Sequence, residues 1–296
     1  MIQLNKLYII LLNYNGYQDT IDCIDSINKC EKKLDYEIVV VDNCSTDDSY
    51  NKLKKVKNIK LIKNPVNNGF SAGNNLGIKY ALEQNAEYVL LLNNDTIDTV
   101  DSIYKMLEKI KSDESVGILG CRIMYYDNKN LINYYGGSID WFKGTAIMHN
   151  YKKEYQETQN NYFYCEYVTG CSMLIRTSIL DKTGLLPEEY FMYYEDVDFC
   201  AKAKESGYKL AVTGDSYIYH KASSASGGEG NPFAIEWNTR NRLLFMKKYN
   251  FKFRSYLFFY LTRIIVGMKY IIKGKNKHFK SMRKGIKEYK KVRRKV

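Results

Sequence analysis

The chain predicts an α/β fold: a mostly parallel sheet flanked by helices, followed by a helical carboxyl-terminal extension. Three observations carry this expectation. Apolar runs of strand length recur at Lys6–Leu12, Tyr36–Val41 and Tyr88–Leu92, of the kind buried on both faces of a sheet. Helically spaced segments lie between them, giving βαβ units with right-handed crossovers. Each run also stops in small, polar or acidic residues, most abruptly at Asn93-Asn94-Asp95, and the carboxyl edge of an open α/β sheet is where ligands bind.

The elements follow in order. Lys6–Leu12 ends at Asn13-Tyr14-Asn15-Gly16, and Asp19 is placed to cap a helix carrying Ile21, Ile24, Ile27 and Leu34. Tyr36–Val41 ends in the acidic and hydroxyl cluster Asp42 to Ser49, and Ile59–Ile62 is a short third strand. Asn67–Gly77 reads as a small-residue loop leading to a helix that reaches Asn85. Its glycines, Gly69, Gly73 and Gly77, are four apart, and no Lys-Ser/Thr follows. That spacing excludes the dinucleotide fingerprint and the Walker loop. Thr99–Ile110 is helical by spacing, Val116–Ile123 is a strand, and short strands are expected near Ser138–Met148. Glu166–Arg176 reads as one strand, Ser178–Thr183 as a helical turn, and Tyr190–Lys204 begins aromatic and turns helical. Tyr208–Val212 is a strand, Ile218-Tyr219-His220 returns to the same edge, and Ala222–Gly230 is a flexible stretch. Asn231-Pro232 starts a long helix with proline at its first position.

At 296 residues the chain can bury a full core. We divide it into a catalytic domain, residues 1–250, and a helical, basic extension, residues 251–296. The seven cysteines are scattered, odd in number and without a C-x-x-C pair, which suits reduced thiols in the cytosol and neither a disulfide framework nor a zinc site. No signal peptide is read before Leu7. The formal charge is +12, but the stretch from Lys273 onward holds twelve Lys/Arg and one acid, so the body is nearly neutral.

The segments LLNYNG, VVVDNCSTDDS, NNGFSAGNNLGI, YVLLLNNDT, YVTGCSMLIR, YFMYYEDVDFCAKAKESGYKL and YIYH occur in that order over residues 6–248. Together they resemble glycosyltransferase family 2, the inverting enzymes of the GT-A fold, and most of all its rhamnosyltransferase-like branch. The resemblance implies transfer of a sugar, rhamnose among the candidates, from a UDP- or dTDP-sugar to a hydroxyl of a glycan or lipid-linked glycan. It implies donor contacts from Asn13, Tyr14, Asp42, Asn68, Gly73, Asn74, Asn93 and Asn94. Asp42 would accept from the imide N–H of a uracil or thymine; the other reading of Asp42 is the first residue of an Asx turn.

Asp95 matches the last carboxylate of the family's D-x-D, with Asn93 standing where a first aspartate is usual. It and His220 are the expected ligands of a divalent cation, Mg2+ or Mn2+, on the diphosphate. His220 can equally be a neutral donor or a structural residue. Asp196 is expected to be the general base, with Glu195 beside it, and Gly170, Tyr193 and Tyr194 the acceptor contacts. Glu195, Asp196 and Asp198 also sit where a helix dipole favours acids for structural reasons alone.

Two rival classes share these features: a nucleotidyltransferase on a similar fold, and a non-catalytic protein whose tail binds membrane or nucleic acid. The first would want a basic loop near the first strand, and Asn13–Asp19 carries no such charge. Nucleic acid is not expected as a partner, and self-association is left open. Tyr256–Ile272 is strongly apolar but interrupted by Arg263 and Lys269, so no membrane span is read. Followed by a polybasic segment, it suits an anchor on the anionic inner face of the cell membrane, or else packing on the domain or a second subunit.

Overall fold

A computed structural model of the chain describes residues 6–32, 34–157, 161–221 and 230–293. At its centre lies β1 (Leu7–Asn13), whose residues Leu7 to Leu11 are fully buried. It pairs in parallel with β2 (Tyr36–Asp42) on one side and β4 (Tyr88–Asn93) on the other, and β3 (Ile59–Lys63) continues beyond β2. Register sets Asn13 opposite Asp42 and Leu12 opposite Asn93, so the polar ends of the three apolar runs meet at one edge, as the sequence predicts.

The other half of the sheet is mixed. Antiparallel β11 (Ser172–Arg176) lies between β4 and β6 (Val116–Tyr125), and β6 pairs in parallel with the long β12 (Lys209–His220). β10 (Tyr162–Cys165) closes that end; short β5 (Thr96–Asp98) joins β12 and β7 (Ile132–Tyr134) joins β6, making ten strands. A separate hairpin, β8 (Gly137–Asp140) and β9 (Thr145–Met148), stands in the region expected to hold short strands.

The helices are α1 (Tyr17–Ile27), α2 (Ser49–Leu53), α3 (Phe70–Glu83), α4 (Ser102–Lys111), α5 (Leu180–Thr183), α6 (Glu195–Glu205), α7 (Pro232–Lys248), α8 (Phe253–Ile272) and α9 (Asn276–Val292). α7 begins as predicted, with Pro232 in its first turn and the Asn231 side chain accepting from Ala234 N at 2.8 Å. α9 lies along α7, so the basic extension is docked on the body. α8 is long and apolar enough to cross a membrane by length and composition.

Several expectations need correction. α1 begins at Tyr17 with Gly16 at its cap position and no side-chain cap, so Asp19 falls inside the first turn, where it pairs with Lys221 Nζ at 2.7 Å. Most of the expected loop Asn67–Gly77 is helix, since α3 begins at Phe70. Its glycines serve close packing: a Cβ on Gly73 would lie 2.4 Å from Leu12 Cδ1, and one on Gly77 2.6 Å from Ile10 Cγ2. Glu166–Arg176 is not one strand; β11 starts only at Ser172, because the chain before it turns to give Gly170 N to Asp196. Tyr208–Val212 and Ile218–His220 form the single strand β12, with a register shift between Thr213 and Tyr217. Of the stretch expected to be flexible, residues 222–230, all but Gly230 lie outside the described residues.

Candidate active site

The donor edge is a network of short side chains. Asn13 Nδ2 and Ser45 Oγ both donate to Asp42 Oδ2, at 2.8 and 2.6 Å, and Ser45 N donates to Asp42 Oδ1 at 3.1 Å. Thr20 Oγ1 donates to Asn13 Oδ1 and receives Asn94 Nδ2, each at 2.9 Å. The ends of β1, β2 and β4 are thereby tied to the start of α1. Asp42 is 1% exposed, and the backbone N–H it accepts is that of Ser45, three residues on and not the two of an Asx turn, while Tyr14 stands exposed on the neighbouring loop.

A second amide chain borders this edge. Asn64 Nδ2 donates to Asn43 Oδ1 at 2.7 Å, and Asn43 Nδ2 to Asn67 Oδ1 at 3.0 Å. Asn67 Oδ1 also receives Gly69 N at 3.0 Å, which leaves Asn68 exposed beside the turn. Three donor candidates are not placed as expected: Asn13 is fully buried, its amide spent on Asp42 and Ser45 and its oxygen on Thr20, and Asn74 and Gly73 are closed off as well. Asn74 is buried, its amide donating to Phe70 O at 3.0 Å within α3. Gly73 faces Leu12 and the Asn43 side chain, so its missing Cβ is explained by packing.

Asp95 and His220 come together because β5 pairs with the end of β12, setting Thr96 opposite His220. His220 Nε2 lies 3.1 Å from Asp95 Oδ1. Burial disfavours a charged imidazole, yet the Cys171 sulfur and Asp95 outweigh it and hold the His220 pKa well above the usual histidine value. Nδ1 of His220 is buried without a hydrogen-bond partner among the described residues. Among the described residues no three His, Cys, Asp or Glu side chains could hold an ion together. One carboxylate and one imidazole therefore fit a divalent cation only where phosphate oxygens and water complete its shell. Asn93, half-buried at the end of β4, adds no charge.

Across the edge, Glu195 and Asp196 open α6. Tyr193 and Tyr194 precede them in the left-handed region, at φ 70° and 76°, a turn that costs non-glycine residues about 1–2 kcal/mol each. α7 holds this turn in place. Asn241, fully buried, donates to Met192 O and Tyr193 O at 2.8 Å, and Arg240 donates twice to Glu189 O at 3.0 Å. Asp198 belongs to the same scaffold: it is fully buried, with Lys248 and the Tyr249 hydroxyl on its carboxylate.

The two acids differ in their partners. Asp196 receives the Tyr167 hydroxyl at 2.7 Å, Gly170 N at 3.1 Å and Val197 N at 2.9 Å. Glu195 is 6% exposed, and its Oε2 has no hydrogen-bond partner among the described residues. Burial raises both pKa values, and Asp196 adds to the rise at Glu195. Donors stabilise a carboxylate and an unpaired one is costly, so the pair keeps its proton on Glu195 and its charge on Asp196. Both line a cavity of about 360 Å3 with Thr145, Met148, Tyr167, Tyr193 and Asn238. Tyr194 is a wall of that cavity, its hydroxyl spent on Gly144 O at 2.9 Å.

The half-sites share one turn. Gly170 N binds Asp196, Cys171 O accepts from Asn93 N at 2.9 Å, and the Cys171 sulfur acts on His220. Sequence reasoning named Gly170 but missed Tyr167, Asn241, Arg240 and Asn43. Only the polar run Thr239–Arg242 inside a long helix was a visible signal, since such residues in a helix interior call for buried partners.

Comparisons with known proteins agree with this architecture. The chain is 27% identical over 208 residues to a low-salt glycan biosynthesis hexosyltransferase of Haloferax volcanii, covering 70% of this chain and 64% of that protein. It is 22% identical to the dTDP-rhamnosyl transferase RfbF of Shigella flexneri, covering 75% of this chain and 71% of the other. The solved structure of GalNAc-T7 with UDP, GalNAc and Mn2+ superposes with a TM-score of 0.62 at 16% identity, over 83% of this chain and 48% of that one, which shows the GT-A fold. The chain thus spans less than two thirds of the Haloferax protein and about half of GalNAc-T7. The family described as Glycosyl transferase family 2 matches residues 8–184, more than half of the chain, and to that family the protein belongs.

Proposed function

We propose that the protein transfers a hexose from a nucleotide sugar to a hydroxyl of a glycan or lipid-linked glycan, with inversion at the anomeric carbon. The Gly170-Cys171 turn carries this reading, because it couples the ionised Asp196 to the polar edge that ends β4. A donor seated over that edge would present its anomeric carbon toward the Asp196 cavity. As the acceptor oxygen attacks, its proton passes to Asp196; the new C–O bond forms as the bond to the diphosphate breaks, and the nucleoside diphosphate keeps the electron pair. One base acting on one displacement inverts the centre. Tyr167 and Gly170 hold the carboxylate for that role, and Glu195 stays neutral beside it.

Asp95 and His220 would hold a divalent cation together with the diphosphate. Such a cation offsets the charge that the leaving group gains. GalNAc-T7 with UDP and Mn2+, and a Pyrobaculum calidifontis mannosyltransferase with GDP-Man and Mn2+, support that cofactor class. Relatives named for a dTDP-sugar and neighbours solved with UDP support a UDP or dTDP donor, and Asp42 with Tyr14 is the candidate nucleobase site. The proposed setting is the cytoplasmic face of the cell membrane, which the free thiols of all seven cysteines support.

The test is a panel of UDP-, dTDP- and GDP-hexoses scored for nucleoside diphosphate release with Mn2+ or with EDTA, followed by NMR of the product's anomeric centre. Metal-dependent release from one nucleotide class and an inverted product are expected. Retention of configuration would overturn the single-base reading.

A further inference from the structure

One face of α8 has no partner among the described residues. Leu257, Leu261, Ile264, Ile265, Met268 and Ile272 follow one another at helical spacing and are 48% to 84% exposed. α8 contains no acidic residue. Its other face is committed to the body: Phe259 is fully buried beneath Arg242, and a Cβ on Gly267 would already crowd Phe279 and Met282 of α9. An exposed apolar row of this length in a soluble protein marks a docking surface.

Charge borders the row on both sides. Exposed Arg254 stands at the amino-terminal end of the row, and exposed Lys269 flanks it along α8. On α9, Lys280, Arg283, Lys287 and Lys290 form an exposed ridge around an open groove. At about 100° per residue, that ridge lies next to the Phe279 and Met282 side that faces α8, and away from Gly285, which faces α7.

The row also continues into the β8–β9 hairpin. Phe142 and Trp141 at its tip are 41% and 44% exposed. Their rings meet Phe258 at 5.4 Å and Phe251 at 6.0 Å. From that tip β9 runs back to the Asp196 cavity, which Thr145, Ala146 and Met148 line. A strand of this length spans about 14 Å.

We propose that the α8 row, the α9 ridge and the β8–β9 tip together seat the protein on an anionic lipid bilayer, with the Asp196 cavity a hairpin's length from the lipid. Apolar side chains enter the headgroup region while the ridge meets anionic headgroups, and aromatic residues at the tip suit that interface. A second copy fits less well, because pairing α8 with itself would bring two basic ridges together. A spanning α8 would have to leave Phe142, Arg242 and α9. The placement rests on the proposed glycosyl transfer in one respect only: it then makes a lipid-carried acceptor the natural substrate of the cavity.

Docking is tested without activity. The full chain should pellet with vesicles of phosphatidylcholine and phosphatidylglycerol, be released by salt or alkaline carbonate, and ignore phosphatidylcholine alone. Leu261→Glu with Ile264→Glu, and separately Lys287→Glu with Lys290→Glu, should each weaken binding by about tenfold or more. Thermal melting and the shift produced by nucleoside diphosphate check folding and donor binding independently of docking. Trp141 and Trp237 are the two tryptophans, so orientation can be read by quenching with brominated lipid. Trp237→Phe, which keeps Trp141, should be quenched strongly, and Trp141→Phe weakly. Equal binding to neutral vesicles, unquenched Trp141 in bound protein, resistance to carbonate, or an α8-dependent dimer that ignores lipid would each overturn the proposal.

Discussion

Tyr167 gives its hydroxyl to Asp196 Oδ2 at 2.7 Å, from a position where its own ring is buried edge-on against Tyr134 at 5.9 Å. That contact stabilises charge on Asp196, and none of the described residues does the same for Glu195 Oε2.

Asp196→Asn should therefore lose about 10²–10⁴-fold in kcat, the range for removing a general base, while nucleoside diphosphate still binds. Glu195→Gln should keep most of its rate, because a neutral amide replaces a neutral acid. Stability gives a second reading. A carboxyl whose folded pKa is raised loses stability as pH climbs from its unfolded value toward its folded one. Glu195→Gln should thus match the wild type in acid and melt higher at neutral pH. A Glu195→Gln rate as low as that of Asp196→Asn would move the base role to the pair.

Tyr167→Phe removes a donor to the ionised form of Asp196, and the Asp196 pKa should rise further. The acid limb of kcat/KM should move to higher pH, with the plateau rate lowered less than in Asp196→Asn. An unmoved limb would assign Tyr167 to packing alone.

Asp95→Asn and His220→Ala should weaken metal-dependent binding of nucleoside diphosphate, measured by calorimetry with Mn2+ and with EDTA. Binding in EDTA should match the wild type, since neither residue meets the nucleobase candidates Tyr14 and Asp42. Wild-type binding that ignores EDTA would remove the cation from the site.

Gly69 is at φ 98°, and a Cβ there would lie 2.0 Å from Phe191 O. Gly69→Ala should cost about 1–3 kcal/mol of stability for backbone strain alone, read by urea unfolding. It should also slow transfer, because Phe191 begins the turn that aims Glu195 and Asp196, and Phe70 N holds Phe191 O at 2.8 Å.

By itself the sequence determined the parallel core, the edge and the acids. Leu7–Leu11, Val39–Val41 and Tyr88–Leu92 are apolar at every position, so they could only be buried strands, and what ended them had to share an edge. Glu195 and Asp196 were legible because YFMYYEDVDF resembles the acidic pair of the family at the start of a helix. What only the tertiary structure decided depends on contacts between segments far apart in the chain. The β5–β12 pairing joins Asp95 to His220, 125 positions on. Asn241 clamps a turn 48 residues earlier. Tyr167, 29 residues before Asp196, decides which of two adjacent acids carries the charge. Periodicity reports which face of an element is buried and carries no information on the partner met there: the apolar stretch and the basic tail after it are both readable in the sequence, but only the structure folds the tail back beside the α8 row and brings the β8–β9 hairpin to it.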